Sequence, residues 1–510
     1  QLTKSASLVG FMTLLSRIMG FVRDILVATF FGAGAAYDAF LIAFKIPNFL
    51  RSLFAEGAFS QAFVPLLSEY HTKNNPAETR LFIDKVAGSL ALVVLLIMGL
   101  MMLCAPLVIR IFAPGFDVGG ERFTLATQML YITAPYLFFI SLTAFCGGIL
   151  NTFNRFAIPA LTPILLNLAM IGTTLWLRGY LDEPIYALAY GVLLGGILQL
   201  AIQIPYLWHL QLLPRAKIAF KDPAVKRLLA LIAPLIFAAS VVQVNLLVIT
   251  IFASFLTPGS VSWLYYAERL MQFPLGVFGI ALATVVLPHL SKQHAKQDKS
   301  NFNGVLDWAL KAVCLIGIPA SIALIVIARP LLTTLFQYGQ FSAFDVLQSQ
   351  GALVAFGFGL AIFIFIKILA AACYARQDVK APVRIAVICL FANVALSAVL
   401  MQYFAHVGLA MSTTLSALLN ASLLYARLYK DAEFRLQSPW LDYVLQLIMA
   451  NAAMIYVLLI IMNHFGEWLL LDMKTRVLGL GLLVIAGGLT YFMVLVASGL
   501  RLRHLRAPMG

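Results

Sequence analysis

Charge is what this 510-residue sequence has least of. Only 11% of its residues are Asp, Glu, Lys or Arg, whereas 62% are hydrophobic. The mean hydropathy of +0.95 excludes an ordinary soluble domain and indicates an integral membrane protein. The longest polar stretches, near residues 68–85, 212–227 and 292–307, are too short to enclose a core of their own. The protein therefore acts in or beside a membrane.

Cysteine and histidine are also scarce, which leaves little material for metal or redox chemistry. The five cysteines are an odd number and lie in apolar stretches, as small core residues do. The seven histidines lie at predicted helix ends or in loops, without the spacing of a ligand pair, and no loop holds a DxD or DxxD carboxylate cluster for Mg²⁺. We therefore expect no catalytic residue, no metal site and no cofactor.

Apolar runs of the roughly 20 residues that cross a bilayer recur along the whole chain. Two longer runs divide at turn signals, one at residues 257–260 and one near residues 406–408. The first run has no cleavage site before it, so we take it as an uncleaved helix. The sequence predicts an all-α integral membrane protein with fourteen transmembrane helices.

Lys and Arg are distributed unevenly between alternate loops. If the N-terminus is inside, the cytoplasmic loops carry 23 of these residues, whereas the opposite loops carry only Arg122, Arg178, Lys474 and Arg476. Because cytoplasmic loops are enriched in Lys and Arg, both termini are predicted to be cytoplasmic. The same bias explains most of the net charge of +14, so the partners that we expect for it are anionic membrane lipids and not nucleic acid.

The sequence repeats itself at a spacing of about 223 residues. Pro65 in FVPLLSEY corresponds to Pro288 in VLPHLSKQ, and Pro159 in FNRFAIPA corresponds to Pro382 in RQDVKAPV. The period contains six helices, an even number, so both halves enter the membrane in the same direction. We predict two parallel, pseudo-symmetric six-helix lobes followed by two C-terminal helices, with boundaries at residues 1–220, 221–432 and 433–510.

Several charged residues fall inside the predicted membrane spans. Arg17 and Arg23 lie roughly 16 and 25 Å along the first span, and Arg51 lies roughly 20 Å into the second. A charge at mid-membrane costs from about 3 to over 10 kcal/mol, so these groups are expected to face a watery or protein-lined interior. Guanidinium groups suit bidentate contact with phosphate. The cations Arg17, Arg23, Lys45, Arg51 and Arg269 outnumber the carboxylates Asp24, Asp38, Glu56 and Glu268, which predicts a central cationic cavity between the lobes for a phosphorylated substrate.

Two other interpretations of these residues stay open. Ion pairing inside the protein, for instance of Arg17 with Asp24, would neutralise part of the charge. Lys367 lies near the inner end of the tenth predicted span, where it either reaches to the interface or contacts substrate. The helix breakers Gly20, Pro47 and Pro274 are candidate hinges for movement of the lobes, or they are static kinks.

Four stretches of the sequence carry a resemblance to a known family. SRIMGFVRD (16–24), FGAGAAYDAFLIAFKIPNFLRSLFAEGAFSQAFVP (31–65), SWLYYAERLMQFPLGVFG (262–279) and LFQYGQF (335–341) closely resemble the MurJ (MviN) family of lipid II flippases. This family belongs to the multidrug/oligosaccharidyl-lipid/polysaccharide exporter superfamily. The resemblance covers essentially the whole chain. The family's essential arginines fall on Arg17, Arg23, Arg51 and Arg269, and its other cavity residues fall on Ser16, Asp24, Asp38, Asn48 and Ser262.

The resemblance implies a function and a location. It implies that undecaprenyl-pyrophosphate-linked disaccharide pentapeptide, lipid II, moves from the inner to the outer leaflet of the bacterial cytoplasmic membrane by alternating access. It also implies that the two C-terminal helices, at 433–510, form a groove for the lipid tail. We take the monomer as the functional unit.

The sequence departs from the family at two points, and two other functions remain open. Gln272 stands where some relatives have an acidic residue. No Asp or Glu lies between Asp222 and Glu268, so the sodium site of some members is not expected and membrane potential is the simpler driving force. The alternatives are a flippase for another polyprenyl-pyrophosphate glycan and a drug/cation antiporter of the same superfamily. The antiporter would need acidic residues in its cavity, whereas the surplus here is basic.

Overall fold

Helix is the only regular secondary structure that this computed structural model contains over the residues it describes, which are 2–52, 58–73, 75–431, 434–435 and 440–499. Within these ranges, ten helices are long and apolar enough to cross a membrane. The prediction of an all-α, multi-pass membrane protein is therefore confirmed. Glu56, one of the predicted intramembrane carboxylates, lies outside the described residues.

The chain divides into two units, residues 1–259 and 260–510. Unit 1 contains α1 (Leu2–Phe31), α2 (Ala35–Arg51), α3 (Ala58–Lys73), α4 (Pro76–Leu103), α5 (Ala105–Phe112), α6 (Glu121–Thr152), α7 (Ala157–Trp176), α8 (Tyr186–Ala201), α9 (Ile204–His209) and α10 (Pro223–Ser254). Unit 2 contains α11 (Ser260–Pro274), α12 (Ile280–Ala295), α13 (Lys299–Val326), α14 (Ala328–Phe336), α15 (Ala343–Ala375), α16 (Lys380–Asp431), α17 (Trp440–Phe465) and α18 (Met473–Ala497).

Helix α10 packs within unit 1, although the repeat assigns it to the second lobe. Its buried residues Val225 and Leu228 share a core with aromatic residues of α3, α4 and α6. In that core the rings of Phe63 and Phe145 lie 5.0 Å apart. Grouping by contact depends on which helices touch, whereas the repeat concerns sequence correspondence. The lobe boundary at 220/221 therefore stays a prediction.

Both predicted turns in the long apolar runs coincide with breaks in the backbone. Helix α10 ends before the turn at residues 257–260, where Gly259 has a φ of 98° that favours glycine. Helix α16 is interrupted at Ala405, with φ 48° and ψ −129°, beside the turn expected at residues 406–408. A side chain at Gly408 would come within 2.3 Å of the carbonyl oxygen of Leu400, so the chain folds closely back on itself there.

The helix pattern of unit 1 recurs in unit 2. Helices α4 and α13 each contain 28 residues, and their first residues, Pro76 and Lys299, are 223 positions apart. Each is followed by a short helix, α5 or α14, and then by a long helix, α6 of 32 residues or α15 of 33. The linking residues Cys104 (φ −104°, ψ 21°) and Ile327 (φ −94°, ψ 17°) have nearly the same backbone conformation and are also 223 positions apart. The local backbone therefore follows the period of the predicted repeat.

In unit 2, α17 and α18 pack against α13. The hydroxyl groups of Tyr443 and Tyr491 donate hydrogen bonds to the carbonyl oxygens of Lys311 and Leu315, at 2.6 and 2.8 Å. Elsewhere on α18 large apolar side chains are exposed, with Leu478 at 73%. A surface of this kind suits contact with lipid tails.

Candidate substrate-binding site

Helix α1 supplies the first group of predicted site residues. The helix is continuous and ends at Gly32, whose φ of 63° is the usual left-handed C-terminal cap. It packs on α7. A stripe of apolar side chains on α1, each 40–60% exposed, consists of Phe11, Leu14, Ile18 and Val22.

The guanidinium of Arg23 is held by Asp24 and Asn167, among other contacts. Its Nη2 and Nε donate to Oδ1 of Asp24 at 2.7 and 3.1 Å, and its Nη1 donates to Oδ1 of Asn167 on α7 at 3.1 Å. The side chains of Arg23 and Asp24 are only 11% and 1% exposed. Asp24 is thus paired with its sequence neighbour, whereas the ion pair considered from the sequence was with Arg17. This buried pair fixes the plane of the guanidinium.

Asn167 contacts two of the predicted site residues but was not itself predicted from the sequence. Its Nδ2 donates to the carbonyl oxygens of Ser16 on α1 and Pro163 on α7, both at 3.2 Å, while its Oδ1 accepts from Arg23. A single amide therefore joins two helices and orients the arginine. The signal available was a lone Asn, here 93% buried, in α7, a helix with no other amide and no charged side chain, because polar groups inside membrane helices are expensive.

Helix α2 carries four of the predicted polar residues, and each has a partner: Asp38, Lys45, Asn48 and Arg51. Arg51 donates through Nε to Oδ1 of Asn48 at 2.8 Å. Lys45 donates to the hydroxyl of Thr250 on α10. Asp38 is completely buried, and its Oδ2 accepts the backbone N–H of Gly259 at 2.7 Å. Lys45 and Asp38 therefore tie α2 to α10 and to the turn that follows it.

In unit 2, α11 carries Ser262, which is fully buried, and Arg269, which is partly buried. Gln272 donates to Oε1 of Glu268 at 2.7 Å. Trp263 donates through Nε1 to Oδ1 of Asp345 on α15 at 2.8 Å, a buried contact that the sequence did not reveal.

The candidate hinges differ in their local backbone. Helix α11 ends at Pro274, and residues 275–279 form a π-helical turn, a feature that often marks functional sites. Pro47 lies inside α2, four residues before its end, and Gly20 lies in the unbroken α1. Hinge roles for these residues stay predictions.

Two predicted site residues have less enclosed positions. Arg17 is partly buried on α1, and Lys367 is exposed on α15. Their roles stay predictions. Among the residues that the structure describes, no group of three or more His, Cys, Asp and Glu side chains is arranged to hold a metal ion.

The ten apolar helices found in the described residues, together with the buried charged side chains on α1 and α2, are typical of a multi-pass membrane transporter. The chain belongs to the family described as lipid II flippase MurJ, which it matches over residues 27–479. It is 42% identical to the probable lipid II flippase MurJ of Vibrio cholerae serotype O1, over 99% of this chain and 98% of that protein. It is also 42% identical to the lipid II flippase MurJ of Burkholderia cenocepacia, over 86% of this chain and 85% of that protein. The resemblance found in the sequence is confirmed, and the protein is a transporter and not an enzyme.

Solved structures agree with this assignment. A structure titled lipid II flippase MurJ, inward closed conformation, aligns with a TM-score of 0.81 and 29% identity over 96% of this chain and 97% of that one. An inward-facing multidrug resistance MATE family transporter of the MOP superfamily aligns with a TM-score of 0.66 and 15% identity over 83% of this chain and 98% of that one. At that identity the second likeness concerns the fold alone.

Proposed function

We propose that this protein carries lipid II from the inner to the outer leaflet of the bacterial cytoplasmic membrane by alternating access. Membership of the lipid II flippase family supports lipid II over another polyprenyl-pyrophosphate glycan. The surplus of intramembrane cations also argues against a transporter for cationic drugs. The protein acts as a monomer, and anionic lipids contact its basic cytoplasmic loops.

The chain crosses the membrane fourteen times, with both termini in the cytoplasm. Among the residues that the structure describes, ten helices qualify as crossings by length and composition. Helix α1, the α2–α3 pair and α10 supply three more. The break at Ala405 turns α16 into two crossings, which adds the last. The distribution of Lys and Arg between alternate loops supports the orientation.

The diphosphate of the substrate is held by Arg17, Arg23, Arg51 and Arg269. The observation that carries this proposal is the geometry at Arg23, where Asp24 and Asn167 hold the guanidinium in one orientation. An oriented guanidinium loses less side-chain entropy when it binds an anion, so more of the contact energy remains for substrate. Arg51 is oriented in a similar way by Asn48.

Movement of the substrate requires the two lobes to open alternately to each side. Pro47 in α2 and Pro274 with its π-helical turn are the points where bending costs least, because a proline or a π turn already interrupts the hydrogen-bond ladder. Gly20 is the point at which α1 bends in this movement. The membrane potential acts on the intramembrane cations and supplies the driving force. The lipid tail remains against α17 and α18.

The test is conditional depletion of the protein in its host, with lipid II measured on each leaflet. Wild-type protein and the control Arg110→Ala, at an exposed residue of α5, are expected to restore outward appearance of lipid II. Arg17→Ala and Arg269→Ala, expressed to the same level, are expected to fail. Full activity of both variants, or undiminished outward lipid II after depletion in a host without another flippase, would contradict the proposal.

A further inference from the structure

Unit 2 contains a cavity of about 510 Å³ whose lining includes none of the arginines proposed to hold the diphosphate of lipid II. It lies where α13 and α17, both long enough to cross the membrane, come to an end. Its volume is within the range of about 300–1,000 Å³ that is usual for ligand pockets. Its apolar lining comes from Val326, Leu459, Met462 and Trp468, and its polar lining comes from Arg329, Gln350, Asn463 and Glu467.

The polar part of this cavity presents one cation, one anion and two amides. Arg329 donates through Nε to Oε1 of Gln350 at 3.0 Å, and its Nη1 lies 3.6 Å from Oε1 of Glu467. The two charged side chains are 38% and 54% exposed. Asn463 is exposed, and its side chain makes no hydrogen bond to any part of the chain that the structure describes. The charged rim is therefore neutral overall but strongly dipolar.

The ion pair between Arg329 and Glu467 is long and exposed to solvent. A pair this long and this exposed contributes little to stability, so a ligand that satisfies both charges can separate them at small cost. Such a ligand must carry its own anion and cation a few bonds apart. It must also have an apolar portion for the Val326, Leu459 and Met462 side.

We propose that this cavity binds an ethanolamine phospholipid from the surrounding membrane. Its phosphate contacts the guanidinium of Arg329, and its ammonium donates hydrogen bonds to Glu467 and to the amide oxygen of Asn463. The first segment of an acyl chain lies against Leu459 and Met462. A glycerol headgroup has no cation for Glu467, and the quaternary ammonium of choline has no N–H to donate.

The bound lipid would join α14 and α15 to the turn that connects α17 with α18, because Arg329, Gln350 and Glu467 come from these three places. The C-terminal helix pair would then be held to the rest of unit 2 partly by a lipid. Any ligand that binds the folded state preferentially raises its stability, so occupancy is expected to raise the melting temperature.

The test uses full-length protein that has been stripped of lipid in detergent and then titrated with dioleoyl phospholipids carrying ethanolamine, glycerol or choline headgroups. Native mass spectrometry counts bound lipids, and the melting temperature reports stabilisation. We expect the ethanolamine lipid to bind roughly tenfold more tightly than the other two. Soluble phosphoethanolamine is expected to bind far more weakly than the lipid, because it cannot fill the apolar side.

Two variants test separately the contacts proposed for the ammonium and for the phosphate of the headgroup. Glu467→Gln is expected to weaken binding of the ethanolamine lipid roughly tenfold and to remove the preference over glycerol lipid, whereas Arg329→Gln is expected to weaken binding of all three. Arg110→Gln, at an exposed arginine of the corresponding short helix α5, is the control and is expected to change nothing. Equal binding of the three lipids to wild-type protein, equal binding of soluble phosphoethanolamine, or unchanged selectivity in Glu467→Gln would each overturn the proposal.

Discussion

Asp84 in unit 1 and Asp307 in unit 2 stand 223 positions apart, at the same point of the repeated helices α4 and α13. Both are buried, with 4% and 5% of their surface exposed. Oδ1 of Asp84 accepts the backbone N–H of Arg215 at 2.7 Å. Oδ1 of Asp307 accepts a hydrogen bond from Nε1 of Trp440 at 2.8 Å. Oδ2 of Asp307 forms an ion pair with Nζ of Lys311 at 2.8 Å. Carboxylates at corresponding positions of the repeat therefore both accept a hydrogen bond from a segment that is distant in sequence, but the segment differs.

Each carboxylate holds the segment through which the chain leaves a set of six predicted crossings. Arg215 belongs to the connection that leads to α10, and Trp440 is the first residue of α17. The repeat thus preserves a polar anchor while the anchored segment changes. The charges predicted to lie inside the membrane do not follow the repeat in this way, because the position 223 residues after Arg23 is Leu246. The helix pattern and the two buried carboxylates follow the repeat, whereas the arginines of α1 do not, which is consistent with the transport role proposed for them.

Truncating Arg23 and Leu246 in parallel tests whether the charge on α1, which the repeat does not share, is needed for transport. Removing one partner of a buried charge pair costs about 2–5 kcal/mol, so we expect Arg23→Ala to slow lipid II flipping by about 30-fold or more. Asn167→Ala is expected to cause a smaller loss in the same direction. Leu246→Ala is expected to flip at nearly the wild-type rate, because that side chain is 41% exposed. Comparable losses in Arg23→Ala and Leu246→Ala, at equal protein level, would mean that packing and not charge is being measured.

The sequence predicted the repeat and the breaks in the long helices, but not the distant partners of the buried polar groups. Matching prolines such as Pro65 and Pro288 are local signals, so the period and the breaks near 257–260 and 405 were available from single stretches of chain. The partners of Arg23 and Lys45 were not, because Asn167 and Thr250 lie 144 and 205 residues away. Hydrogen bonds across helices depend on which faces meet, which periodicity alone does not determine.

A second test displaces the segment that Asp84 holds. A side chain at Gly88 would come within 2.4 Å of the backbone of Lys217, whereas a side chain at Gly99 on the same helix would meet nothing within 4 Å. We expect Gly88→Val to destabilise the protein by about 3 kcal/mol, the upper end for overpacking, and Gly99→Val to have little effect. The measurement is the melting temperature in detergent. A drop of similar size in both would show that the connecting segment does not need to lie against α4.

Replacing the buried carboxylates Asp84 and Asp307 in turn compares the two units directly. Asp84→Ala leaves the backbone N–H of Arg215 without its acceptor, and Asp307→Ala leaves the indole of Trp440 and the ammonium of Lys311 without theirs. Each loss is expected to cost about 1–3 kcal/mol. Asp84→Asn and Asp307→Asn keep an acceptor oxygen and serve as matched controls with smaller effects. The comparison between the units fails if one alanine variant melts like wild type while the other does not.

The smallest expected effect concerns Asp222, the N-cap of α10, which follows the segment held by Asp84. Its carboxylate accepts a hydrogen bond from Lys85, and this contact, with the backbone N–H of Ala224, holds the pKa of Asp222 below its ordinary value. A lowered pKa means that the stabilisation is fully present above about pH 4, the unfolded value, and is lost as the pH falls through the folded pKa. Asp222→Asn keeps the N-cap but removes the charge, so it is expected to lower stability by less than about 1 kcal/mol at pH 7. The gap in melting temperature between wild type and Asp222→Asn should then close below pH 4, and Lys85→Met should behave alike. A gap that stays constant down to pH 3 would assign the effect to the cap and not to the ion pair.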